Sequence, residues 1–355
     1  LSDSNIPAPL GVQPEAAAVD AAASVVPTMP EPPSRPVWTT QVPETPWCPE
    51  AWREHLEAVA PGLFESGSAS VPARGARGAS YGEAIGSRLT SDGWSLVLSS
   101  RRGRLHAHRG EHREDAGALL HFADGWVAAV ADGAGSAPWS RLGSALATHV
   151  VTHALREALQ HGRAPALPLL PALREASAAT QRAMRQFADA AGIPYKALRT
   201  TLLVVAWHGH AIGVLQVGDG AMVLRRTDGT LVHPHAAATG DFSGEVTHFL
   251  PDDGALEELV ESAAVHGADE VMAVLIASDG VEDPWYPFTR HATTLFEALT
   301  RGAPDAAVLP SGLIPAWPGS VTQAADPVHA LAEWLAFEKR GENDDRTLCL
   351  IQRQA

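Results

Sequence analysis

Three short apolar runs in this chain end in the same dipeptide: VAAVADG closes on Asp132-Gly133, IGVLQVGDG on Asp219-Gly220 and MAVLIASDG on Asp279-Gly280. A carboxylate at the end of a buried strand sits on stiff backbone at the edge of the core. The glycine behind it lets the chain turn sharply and leaves main-chain carbonyls uncovered. Carboxylate, carbonyl and room for water are what hard cations such as magnesium and manganese take as ligands. Further acids flank the series, Glu114-Asp115 upstream and Asp344-Asp345 near the end. Asp-Gly is also an ordinary turn dipeptide. The chain has seven, and those at Asp92, Asp124, Asp228 and Asp253 lie in polar turn or loop surroundings. One such dipeptide after an apolar run is most simply a turn. Three, together with two acidic doublets, point to a shared site. Carboxylates gathered in such number repel one another unless cations lie between them. Two divalent ions would make the cluster a binuclear centre that lowers the pKa of a bridging water and clamps phosphoryl oxygens.

Composition narrows the partners. The chain has 355 residues, 45% of them hydrophobic, enough for one large domain or two ordinary ones, and no apolar run approaches a membrane span. A net charge of −15, from 26 Lys+Arg against 41 Asp+Glu, argues against nucleic acid as the main partner. The two cysteines, Cys48 and Cys349, lie in a Pro-rich segment and an apolar run, which speaks against a structural disulfide and for a reducing compartment. The first residues, LSDSNIPAPL, carry no secretory pattern, so the expected location is cytoplasmic.

The elements that must position the acids follow in order. Residues 1–46, rich in Pro and Ala, read as a disordered tether; 47–60 as a short helix with Trp52, Leu56 and Val59 on one face; 61–80 as a linker. The folded domain is expected over 81–355, with an irregular Pro-rich insertion at about 284–327. Strands are expected at 94–99, 116–122 and 126–131, the first two separated by a polar loop. The run 126–131 lacks alternation and reads as a strand buried on both faces. Helical periodicity follows over 140–160 (Leu142, Leu146, Val150, Ala154) and 168–190. Strands at 200–207 and 211–218, a hairpin turning at Asp228-Gly229, a loop to about 265 and a strand at 271–277 come next. Helices near 291–300 and over 328–340 and a strand at 346–351 close the domain. This order lacks regular β-α-β alternation and implies an α+β fold, two antiparallel sheets face to face with paired helices outside.

The series REDA, ADGAGS, GDG, SDG and DDRT, over about residues 92–352, resembles the metal-dependent protein phosphatases (the PPM, or type 2C, serine/threonine phosphatases), bacterial members in particular. The resemblance implies a four-layer α-β-β-α sandwich. It implies two Mn²⁺ or Mg²⁺ ions, with Asp132 bridging both, the Gly133 carbonyl as a second ligand, Asp279 and Asp344 completing one shell, and Glu114 holding the other ion through water. Asp115 would support the site by orienting ligands or water, and Asp219 matches a motif that sits in a tight turn, for which a structural role is favoured. The implied reaction is hydrolysis of phosphoserine or phosphothreonine in a protein by in-line attack of metal-bound water, with no phosphoenzyme, opposing a cognate kinase. The pattern departs from the family at three points. Arg109 and Arg113 both lie near the place of the phosphate-holding arginine, and Arg109 is the choice. Ala134 stands where many members carry a histidine that serves as general acid, leaving water or one of His106, His108 and His112 for that role. Arg199 replaces the glycine usual before Thr200-Thr201. A degenerate phosphatase domain serving as a binding module, and a small-molecule phosphohydrolase, are the competing readings.

Overall fold

The computed structural model describes residues 84–160, 168–234 and 248–354. The expected tether, short helix and linker over 1–80 lie outside the described residues. Among the described residues eleven strands form two sheets, and their pairings are antiparallel. One sheet has six strands: β1 (Ala84–Ser91), β2 (Trp94–Arg101), β7 (Ala221–Arg226), β8 (Leu231–Val232), β10 (Val271–Ala277) and β11 (Arg346–Arg353), in the order β1-β2-β11-β10-β7-β8. The other has five: β3 (Ala116–Phe122), β4 (Gly125–Ala131), β5 (Leu202–His208), β6 (Ala211–Val217) and β9 (Ala264–Gly267), in the order β3-β4-β5-β6-β9.

Three apolar layers hold the sheets and helices together, and β4 shows how. Trp126, Ala128 and Val130 pack between the sheets against Leu96, Leu98, Val274, Ile276 and Cys349. Val127, Ala129 and Ala131 face the other way, onto α2 (Ser140–Gln160) and α3 (Leu169–Ala191). A strand buried on both faces has no polar face to show, hence the run without alternation. On the far side, Val97, Val223, Leu275 and Leu350 meet α6 (Phe288–Arg301) and α7 (Pro327–Trp334). The result is the expected sandwich: helices, sheet, sheet, helices.

The register then decides where the acids fall. Ala116 pairs with Ala131, Leu202 with Val217, Ala221 with Ala277, Leu348 with Ala277, and Arg346 with Arg101. The starts of β3, β5, β7 and β11 therefore lie at the same end of the sandwich as the ends of β2, β4, β6 and β10. Each acidic motif sits at one of these strand termini.

Several elements differ from the sequence reading. The expected polar loop after β2 contains α1 (Arg104–Arg109), whose six residues are too few to show a period. The expected loop to about 265 contains α4 (Ala255–Ser262) and the edge strand β9, the helix buried through Ala255 and Leu259. The helix expected over 328–340 ends at Trp334. Glu338 is drawn instead into a two-way main-chain pairing with Ile314, and the Arg346 guanidinium takes the Leu335 and Phe337 carbonyls at 2.9 and 2.5 Å. Among the described residues no helix is long and apolar enough to cross a membrane.

Trp126 is fully buried, edge-on to Trp94 at 5.6 Å and stacked on Trp207 at 6.5 Å. Trp126→Ala should destabilise the fold by about 3–5 kcal/mol, read from urea unfolding with the slope unchanged. A loss below about 1 kcal/mol would contradict the packing described.

Candidate metal centre

Asp132 follows β4 and continues the parity of Trp126, Ala128 and Val130. The start of β5 fixes its main chain. Asp132 N–H donates to Thr201 Oγ1 at 2.9 Å, and its carbonyl accepts from Thr201 N–H (2.8 Å) and Thr200 Oγ1 (2.7 Å). Ala134 N–H donates to the Arg199 carbonyl at 3.0 Å, so the pairing straddles Gly133. Only glycine fits there: an added Cβ would stand 2.8 Å from both the Glu114 carbonyl oxygen and the Ser140 carbonyl carbon. Gly280, on the short helix α5 (Asp279–Glu282), is pressed still closer, onto the Asp345 carbonyl.

Asp279 opens α5 after β10, and Asp219 lies in the turn between β6 and β7. One carboxylate oxygen from each of Asp132, Asp219 and Asp279 lies within 4.8 Å of the others, and all three side chains are half-buried. Asp219 thus occupies the tight turn expected of it and also joins the carboxylate group. Asp115 is buried behind them: Ser278 Oγ donates to its Oδ2 at 2.8 Å and accepts Thr347 N–H at 3.0 Å. Glu114 precedes Asp115, and its carbonyl accepts from Ser144 of α2. Asp344 is exposed at the rim, its Oδ1 accepting Asp345 N–H at 2.8 Å.

The electrostatics are those of too many acids in one place. Burial, with Asp345 nearby, pushes Asp115 up to about 8. Burial, then Asp115 and Asp279, pushes Asp132 well above the usual carboxylate range. Asp279 is raised by burial, and Asp219 reaches about 7 through burial and the Asp279 charge. Glu282 and Asp283 rise to about 7 and about 6, burial again the first cause. Buried oxygens Asp115 Oδ1 and Asp279 Oδ1 have no hydrogen-bond donor. Orphaned carboxylate oxygens around a convergent oxygen-donor set fit hard divalent cations, magnesium or manganese, and suit a soft metal poorly.

Arg109 lies at the exposed end of α1, with Glu111 as its ion-pair partner at 3.8 Å. Arg113 is turned inward: its Nε donates to the Asp115 carbonyl at 3.1 Å, and burial lowers its guanidinium to about 10 against the pull of Asp345 and Asp115. Of the three candidate histidines, His108 is exposed, whereas His106 is buried with Nδ1 2.9 Å from Asp345 Oδ2. Burial opposes charging of His106, yet Asp345, Glu114 and Asp344 outweigh it and raise the ring to about 9. Sequence reasoning assigned no role to Asp345 or Ser278. The doublet Asp344-Asp345 was the one available signal for the first, and a serine after an apolar run gives none for the second. Arg199, in place of the usual glycine, pairs with Asp252 at 2.7 Å, tying the 250–253 segment to the edge of the site.

An α+β sandwich whose strand ends converge on a carboxylate centre defines the class of protein. The protein phosphatase 2C family model matches residues 102–309, and the chain belongs to that family. Among solved structures it is similar to the catalytic domain of the serine/threonine protein phosphatase PstP in complex with two manganese ions (20% identity, 74% of this chain and 99% of that one, TM-score 0.46). It is also similar to the PstP/Ppp phosphatase of Mycobacterium tuberculosis (18%, 74% and 99%, TM-score 0.46) and to RsbX in complex with magnesium (14%, 76% and 99%, TM-score 0.42). No curated protein sequence matches the chain.

The raised carboxyls give a signed prediction. The metal-free native state holds protons that the unfolded chain has released, on Asp115 from about pH 4 to 8, on Asp219 from about pH 4 to 7 and on His106 from about pH 6.5 to 9. Native protons outnumber unfolded ones, so stability falls as pH rises. Metal-free protein should melt at a lower temperature at pH 8.5 than at pH 5.5, and Mn²⁺ should raise the melting temperature more at the higher pH. A melting temperature that rises with pH without metal would contradict the assignment.

Proposed function

We propose that this chain is a metal-dependent serine/threonine protein phosphatase. The observation that carries the reading is the convergence of Asp132, Asp219 and Asp279 oxygens within 4.8 Å, from three separate strand ends, in a chain of the protein phosphatase 2C family. Asp132, the Gly133 carbonyl, Asp279 and Asp344 would hold two cations with Glu114, and Asp219 joins them on geometry. Two bound Mn²⁺ or Mg²⁺ ions would supply a water of lowered pKa and neutralise charge on the phosphoryl oxygens.

The chain's own residues set the geometry. Thr200 and Thr201 fix the Asp132 backbone, and Ser278 fixes Asp115, so the carboxylates keep their positions while charge shifts between substrate and solvent. Arg109, solvent-facing, is the arginine assigned to receive the phosphate; Arg113 is already engaged by the Asp115 carbonyl. In the reaction a water oxygen bonds to phosphorus as the bond to the serine or threonine oxygen breaks, and the alcohol leaves with a proton. Among the described residues the free thiol is Cys349, buried between the sheets, which agrees with a mechanism free of a phosphocysteine. The substrate is a phosphorylated protein, and the enzyme opposes the kinase that modified it.

Hydrolysis of a phosphothreonine peptide should appear with Mn²⁺ or Mg²⁺ and stop with chelator. Asp132→Asn and Asp279→Asn should each lower turnover by at least about a hundredfold, the upper range seen when only an outer partner of a metal is lost. Metal binding without hydrolysis of the peptide would favour a small-molecule phosphoester. Neither binding nor hydrolysis would leave the domain a binding module.

A further inference from the structure

On the flank of the centre, Asp345 and His106 contact its residues without themselves being assigned to the cations. Asp345 is 1% exposed, and its Oδ1 accepts Gly103 N–H at 2.6 Å. Its Oδ2 accepts Glu114 N–H at 2.6 Å and lies 2.9 Å from His106 Nδ1. His106, Asp344 and Asp345 also present atoms within 4.8 Å of one another, as metal ligands do. One backbone N–H on each oxygen, with the His106 ring beside Oδ2, leaves Asp345 little to offer a cation, so Asp345 is a clamp rather than a ligand.

The clamp fixes the imidazole. Asp345 engages Nδ1, and the ring edge opposite, Nε2, faces Glu114 Oε2 at 4.0 Å. The helix that carries His106 is pinned at both ends. Leu105 N–H donates to the Asn343 carbonyl at 3.0 Å, and Gly110 closes α1 in the left-handed conformation at φ 67°. Gly103 packs so closely on the 343–344 main chain that a Cβ there would overlap it. A ring that cannot swing thus stands beside a carboxylate whose direction matters for metal binding.

We propose that His106, held by Asp345, is a positioning residue that orients the Glu114 carboxylate toward the cation. A carboxylate on a flexible side chain loses rotamer freedom when it binds a metal, and a fixed partner removes part of that cost before binding. The inference rests on the proposed function only through the role of Glu114 in holding an ion.

The test is Mn²⁺ binding to the full chain by calorimetry, with two substitutions that divide the imidazole. His106→Asn retains an amide near Nδ1 and its contact with Asp345; His106→Gln retains one near Nε2 and its reach toward Glu114. Melting curves confirm that both fold. His106→Asn should weaken one class of Mn²⁺ site by about 10–100-fold, and His106→Gln should recover most of that loss. In a Glu114→Gln background His106→Asn should cause no further loss. Asparagine equal to or better than glutamine, or additive losses in the double variant, would overturn the proposal and leave His106 a fold-holding residue. Wild-type chain that binds Mn²⁺ but hydrolyses no phosphopeptide would end the phosphatase reading while the binding order still decides the role of His106. Wild-type chain that binds no Mn²⁺ would end both.

Discussion

Like charges gathered at strand ends are the constraint on which the rest of the molecule depends. Oxygens of Asp132, Asp219 and Asp279 lie within 4.8 Å of one another, with Asp115 buried behind. At that spacing two full negative charges repel by roughly 3.5 kcal/mol or more at an effective dielectric of about 20. The fold does not relieve this by spreading the side chains. It holds them together on rigid backbone and leaves the charge to be met by protons or cations. A site that must collect cations benefits from that standing imbalance, which costs the metal-free chain stability.

What holds the acids against their repulsion is main chain and hydroxyl, not counter-charge alone. Thr200 and Thr201 take up both main-chain polar groups of Asp132, Ser278 ties Asp115 to β11, and Ser144 reaches from α2 to the Glu114 carbonyl. Of these, Ser278 links the two sheets, since it follows β10 in one and reaches Asp115 before β3 in the other. Asp345 does the same for the β2–α1 corner with a carboxylate filled by nitrogen donors. Two acids adjacent in sequence, Asp344 and Asp345, therefore stand in opposite situations: one exposed at the rim, the other buried and saturated.

The sandwich was legible because β4 and β10 are apolar on both faces and because the helices flanking it are long enough to show a period, as Leu142, Leu146 and Val150 do on α2. The acids were legible for the same reason, since a charge ending a buried strand has no ordinary place to go. Asp219 was harder, because a tight turn explains an Asp-Gly completely until the neighbouring strands are placed. The roles of Asp345 and His106 were not legible. Each depends on a contact across more than 200 residues of chain, and the short helix α1 that sets His106 facing inward has no period of its own. Short elements made by tertiary contacts, such as α4 and β9, escaped for that reason too.

The central claim is that a protonated, crowded carboxylate centre exchanges protons for metal ions. Calorimetric titration of the metal-free chain with Mn²⁺ near pH 7, repeated in buffers of different ionisation enthalpy, measures that exchange directly. With Asp115 held near 8 and Asp219 near 7, the account predicts binding of two or more ions with net release of protons. Binding with no proton release, or no binding at all, would contradict it.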